Sequence, residues 1–216
     1  MVYRRNALMC RTDRGPARIA GRTWWRNLVA VLIAMELGAS VPCTSLAEDD
    51  TSPDLSVLRA TLASLIRDHQ KYFVMASQPR GLAFEREWLA SRLLAAGKQE
   101  ALPHLDQLLA DYEARGSKGE LPKDLGSLNI KVVDAQFLTR MFSGDVLGGW
   151  KRFWAEFPDA AALLDVSLPG YSPDQEWAVV CYSVSRGSLA GEVWIALLRR
   201  EAGAWHVYFR EILVQS

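Results

Sequence analysis

The side chains able to do chemistry are few in this chain, and their spacing assembles no familiar centre. His69, His104 and His206 stand in three separate segments with no HxxxH, HxH or Cys/His pattern. The close ligand spacing of a zinc site is therefore absent, and no metal or other cofactor is expected. Cys181 sits inside the apolar run Trp177 to Val184 with no His or helix N-terminus at readable spacing to lower its pKa, so it reads as a small core residue. Ser183, Ser185 and Ser188 lie near a hairpin, but no GxSxG elbow presents one of them as a nucleophile. A hydrolase-like centre would need distant residues to converge, His206 with Ser185 or Glu192 in the 185–192 hairpin. Arg186 and the pair Arg199-Arg200 carry the charge to grip an anion, although solvated hairpin charge is the ordinary role of such residues. Gly187-x-x-x-Gly191 is followed by no Lys-Ser/Thr pair opening a helix, so it is not a phosphate loop. The candidates left for binding are Arg186, Gly187, Ser188 and Gly191 in the hairpin, with Tyr208 on the last strand.

These residues have to be positioned by a C-terminal β-meander. Ala162 to Leu168 is a short apolar run closed by Pro169-Gly170, and Ser172-Pro173-Asp174 supplies turn chemistry. Trp177 to Val184, Val193 to Leu198 and Trp205 to Val214 are rich in aromatic and β-branched residues and are separated by short Gly-containing connections. Connections that short favour antiparallel neighbours. In the last strand the alternation puts Trp205, Val207, Phe209 and Leu213 on one side and His206, Tyr208 and Arg210 on the other. The middle strands are apolar on both sides. Helices must therefore wrap the second face, or that face is a groove or a self-association surface.

Upstream, Ser52-Pro53-Asp54 is a helix start, and Leu55, Leu58, Leu62, Leu65, Ile66, Tyr72 and Phe73 recur at three and four as one apolar stripe broken at Gln78 to Gly81. Further helices are expected over Leu82 to Ala96, from near Pro103 to Gly116, and after Asp134 as N-cap. Leu128 to Val133 reads as an additional strand. Gly148-Gly149 loosens the chain before Trp150, Phe153, Trp154 and Phe157, an aromatic stripe of core type.

The formal charge of zero hides a segregation. Residues 1–47 hold seven Arg against Asp13 and Glu36, a net +5, and the remaining 18 basic and 23 acidic side chains give −5. The basic part has the form of a signal peptide: an Arg-rich start, the apolar run Leu28 to Met35, and Ser45-Leu46-Ala47 before Glu48, with cleavage expected after Ala47. The run falls short of the ~20 residues of a spanning helix, so an uncleaved N-terminal membrane anchor is the alternative and no stable span is expected after cleavage. Cys10 and Cys43 lie in this leader, which leaves Cys181 alone in the mature chain and forbids an internal disulfide. A mature charge of −5 argues against nucleic acid as partner.

Trp150-x-x-Phe153, Phe157-Pro158, Ser167 to Ser172, Ala178-Val179-Val180, Gly187 to Gly191 and Gly203-x-Trp205-x-Val207 are similar to the C-terminal region of a group of uncharacterised exported bacterial proteins. The resemblance covers about the last 70 residues and implies export, periplasmic or secreted, and a fold. It implies no activity and no functional residues. Some members of that group carry cysteines flanking the glycine-containing loop where this chain has Arg186 and Ala190, so the resemblance implies no disulfide or redox role here.

The expectation is a 1–47 signal peptide and a single α+β domain over 48–216, with a helical part over about 53–157 and the meander over about 162–214. N-terminal helices should pack on a four- to five-stranded antiparallel sheet. The alternative is a curved-sheet cone resembling the nuclear-transport-factor-like or cystatin-like folds. The function expected is binding of a protein, peptide or small ligand by an exported soluble domain without an evident catalytic site. The hydrolase-like reading around His206 stands second.

Overall fold

The computed structural model describes residues 52–66 and 71–216. The leader, its cleavage site and His69 lie outside the described residues. The described residues are α+β, with five α-helices and a seven-stranded sheet, mostly antiparallel, whose larger part is C-terminal.

Helix α1 spans Pro53–Ile66, and the carbonyl of Ser52 accepts from the N–H of Leu55 at 3.1 Å as the helix begins. Val57, Leu58, Leu62 and Ile66 form its buried stripe. The stripe does not continue through Tyr72 and Phe73, as their spacing suggested. Those two residues open strand β1, Tyr72–Ala76, in which every position after the first is buried. A strand with neighbours on both edges and helices or loops on both faces has no wet side, so its residues form an unbroken apolar run that periodicity alone does not separate from a helix.

Helix α2 covers Arg86–Ala95, and a 3-10 turn at Gln99–His104 leads into α3, Leu105–Arg115. Strand β2, Ile130–Val133, is the additional strand expected there. Asp134 caps α4, Ala135–Met141, by accepting from the N–H of Phe137 at 2.8 Å. Asp145 does the same for α5, Val146–Glu156, at Gly148. Gly148 and Gly149 therefore lie inside a helix and do not loosen the chain. At Gly149 a Cβ would meet the ring of Phe142, so a glycine lets the two short helices close on each other. Trp150, Phe153 and Phe157 are core.

The remaining strands are β3 (Ala160–Val166), β4 (Gly170–Tyr171), β5 (Trp177–Gly187), β6 (Ala190–Glu201) and β7 (Ala204–Gln215). Their order across the sheet is β2-β1-β3-β5-β6-β7, with β4 also on β5. The expected meander is present in β3, β5, β6 and β7, all antiparallel neighbours. The sheet is larger than expected because β1 enters parallel to both β2 and β3. The helices between β1 and β2, and between β2 and β3, supply the long connections that parallel pairing requires. The loop at Arg199 to Gly203 is tighter than expected: the strands run to Glu201 and Ala204, joined by Ala202 and Gly203 at φ 50° and 86°, the left-handed pair of a two-residue hairpin.

Both sheet faces carry helices. On one, α1 and the chain around Leu121 and Leu125 pack over Phe73, Met75, Leu164, Val180, Tyr182 and Leu198. On the other, α2 and α3 bury Trp177, Val179, Cys181, Ile195, Leu197 and Phe209, while α4 and α5 bury Val74, Ala76 and Ala160. A cone would gather its helices inside the bend; here they lie on both sides. The alternation expected in the last strand is also interrupted. Two register shifts between β6 and β7 insert Tyr208 and Leu213 as extra residues, so Trp205 joins the α1 side while Phe209 and Leu213 join the other.

Candidate functional site

The helix-covered face that carries Cys181 is covered unequally. Helices α4 and α5 sit over β1 and β3, and α2 and α3 sit over the Trp177 end of β5 and the facing part of β6 and β7. Between and beyond them the sheet is open. A cleft of about 560 Å³ runs from Ala76 and Leu163 past Asp165 and Ser185 to Gly187 and Ser188, walled by Leu138, Thr139, Phe142 and Trp150. A second of about 210 Å³ continues over Ser183, Gly191 and Val193 to Val214. The two meet at Arg80, Asp165 and Ser185, so they form one trough.

Strand alternation explains its floor. On β5, Val179, Cys181, Ser183 and Ser185 share a face, and the change from apolar to hydroxyl comes where helix cover stops. Register puts Asp165 opposite Ser183, Ser183 opposite Val193, and Val193 opposite Val214. Ser183 Oγ donates to Asp165 Oδ2 at 3.3 Å. Arg80 reaches the same carboxylate at 3.6 Å, with its own side chain 68% exposed against 24% for Asp165. The Arg80 N–H donates to the carbonyl of Val166 at 2.8 Å, which holds the loop leaving β1 across the end of β3. Ser77 joins the opposite wall, since its Oγ accepts from the N–H of Ala135 at 3.2 Å where α4 begins.

Of the residues singled out from sequence, Gly187, Ser188 and Gly191 line this trough and Ser185 lies at its centre. Arg186 does not. It is the extra residue at a register shift and reaches Glu192 at 4.0 Å, the same carboxylate that accepts from Trp194 Nε1 at 3.2 Å on the α1 side of the sheet. Tyr208 lies at the far end of β7, its ring edge against Trp177 and Lys98 above it. His206 is also at that end, opposite Arg199, whereas Ser185 is opposite Gly191. Eight residues along β6 separate the two, ~26 Å at 3.3 Å per residue, so His206 is out of reach of Ser185 and Glu192. Arg199 is engaged by Glu100 at 2.7 Å. His104 stacks on Trp177. Among the described residues no three His, Cys, Asp or Glu side chains group to hold a metal ion.

Arg80, Asp165, Thr139 and Gln78 were not anticipated. They come from three separate segments, and only Asp165, an acid inside an otherwise apolar strand run, left a trace in the sequence. A further hollow of about 220 Å³ between Gly81 to Phe84 and α3 offers less. The Tyr112 hydroxyl there is already bonded at both ends, accepting from the N–H of Leu82 at 2.8 Å and donating to its carbonyl at 3.1 Å.

Set against known proteins, the chain matches no family model, no curated protein and no solved structure.

Proposed function

We propose that this is an exported binding domain whose working surface is the trough over Asp165, Ser183 and Ser185. The observation that carries the reading is the gap in helix cover over a polar row of a sheet face that is otherwise apolar. A helix laid over that row would have to satisfy a carboxylate and two hydroxyls in a dry interface, which is costly, whereas an open trough lets a ligand supply the partners. Binding is favoured over catalysis because, among the described residues, no imidazole stands beside either serine to take up a hydroxyl proton. The leader form and the likeness to exported proteins support the compartment.

The test is a thermal-shift screen of the purified full chain against metabolites of varied charge, repeated with Ser185→Trp, which fills the trough from its floor without entering the core. A ligand at a hundredfold excess over its Kd should raise Tm by about 5–10 °C in the parent protein and leave the variant unshifted. Equal shifts in both proteins, or no shift from any class of compound, would reject the proposal.

A further inference from the structure

We infer that the trough takes a neutral, polyhydroxylated ligand of the saccharide class, laid across the strands. This rests on the reading of the trough as a binding site and adds the chemistry of its occupant.

Shape is the first argument. The register row Asp165, Ser183, Val193, Val214 crosses four adjacent strands, and Ala76 on the neighbouring β1 lines the same trough. Four spacings of ~4.8 Å make its floor ~19 Å long, which suits an elongated ligand better than a compact one. Charge is the second. Arg80 arrives already paired with Asp165 at 3.6 Å. An anion brought to Arg80 meets the Asp165 carboxylate, and a cation brought to Asp165 meets the guanidinium, so the floor selects against both signs. Hydrogen bonding is the third. The hydroxyls of Ser185 and Ser188 take no partner among the described residues, and a serine hydroxyl both donates and accepts. That dual capacity matches ligand hydroxyls, which do the same. The walls complete the fit, because Phe142, Leu163 and Val193 give the C–H faces of a sugar ring an apolar surface.

An extended peptide is the competing elongated, near-neutral ligand. It binds sheets by adding to an exposed edge, using free backbone N–H and C=O groups. Most of the trough floor is sheet interior, where β3, β5 and β6 have strands on both sides and their backbone groups are already spent on the ladders, and only its Val214 end reaches the outer strand β7, which is interrupted by extra residues.

The experiment is a glycan array probed with the purified full chain, followed by calorimetric titration of the best free oligosaccharide. Amino acids, a polyalanine hexapeptide and inorganic phosphate serve as comparison ligands. At least one saccharide should bind, with affinity changing less than about twofold between 50 and 500 mM NaCl, as expected where no counterion is released. Ser185→Trp should abolish binding. Asp165→Asn, a near-isosteric change, should weaken it at least tenfold while Tm stays within a few degrees. Binding to arrayed polymers but not to free oligosaccharides would assign the ligand to a polysaccharide and uphold the class. Selective binding of amino acids, peptide or phosphate, lost in Ser185→Trp, overturns the saccharide assignment and leaves the trough as a binding site. Saccharide binding unaffected by both variants overturns the location. Silence from every ligand overturns both readings.

Discussion

Burial fixes the protonation of a small cluster beneath α3. Cys181 is fully buried, its N–H donates to Ser167 Oγ at 3.0 Å, and desolvation pushes its thiol up to about 12. Tyr112 and Tyr171 are raised in the same direction, again chiefly by burial, with the carboxylate of Asp54 adding to the effect on Tyr171. All three are acids whose neutral form is favoured in the folded chain. The stability they contribute is complete below the ordinary thiol and phenol values of 9.0 and 10.0. Above them the unfolded chain releases protons that the folded chain keeps, so stability falls as pH rises. Urea midpoints should therefore stay level from pH 7 to about 9 and decline beyond it. Over the level range Cys181 should resist a thiol-specific disulfide reagent until denaturant is added. Rapid labelling of the native protein at pH 8 would mean that the thiol is not enclosed. The core role of Cys181 was legible because its neighbours on both sides are apolar. The trough residues were not, because Arg80, Thr139, Asp165 and Ser185 meet only through the packing of four distant segments.

Helix α3 crosses β4 at close range. A Cβ on Gly170 would stand 2.5 Å from Tyr112 Cβ, 2.6 Å from Tyr112 N and 2.7 Å from the carbonyl oxygen of Leu108. Two of those atoms are helix backbone, which cannot step aside as a side-chain tip can. Gly170→Ala should accordingly cost about 1–3 kcal/mol, read as a lowered urea midpoint at unchanged m-value. A loss below ~0.5 kcal/mol would show that α3 can lift from the sheet. The crossing is reinforced from α1: Arg115 at the end of α3 bonds both oxygens of Asp54 at 2.9 and 2.7 Å, and the Tyr171 hydroxyl donates to Asp54 at 2.9 Å. Pro169-Gly170 was readable as the end of a strand, but the reason for the glycine lies in a helix some sixty residues away. Local signals carried the helix starts at Pro53 and Asp134, because capping is a matter of adjacent residues, whereas the cap at Asp145 was masked by Gly148-Gly149. They failed at β1, where an apolar run continued the leucine period of α1 and only pairing with β2 and β3 makes it a strand.

At the scale of the molecule, the charge segregation and the layered fold point to one prediction. Leu58, Phe73, Leu164 and Tyr182 under α1, and Leu93, Leu108 and Val179 on the opposite face, are all enclosed by residues within 52–66 and 71–216. The outer strands are guarded against pairing with other chains: β2 is only four residues long, and β7 is interrupted by extra residues at Tyr208 and Leu213. Among the described residues no helix is long and apolar enough to cross a membrane. On the proposed export reading the +5 leader and the −5 remainder would have different jobs, a cationic start retained on the inner side during translocation and an acidic remainder delivered beyond it. Expressed in a Gram-negative host, the full chain should yield a mature species starting at Glu48 in the periplasmic fraction, identified by N-terminal sequencing. Replacing Ala47 with Tyr, which removes the small residue before the cleavage point, should leave the uncut chain at the membrane, where carbonate washing does not release it. Recovery of intact chain from the cytosol with either sequence would remove the export reading, and the trough would then have to meet its ligand inside the cell.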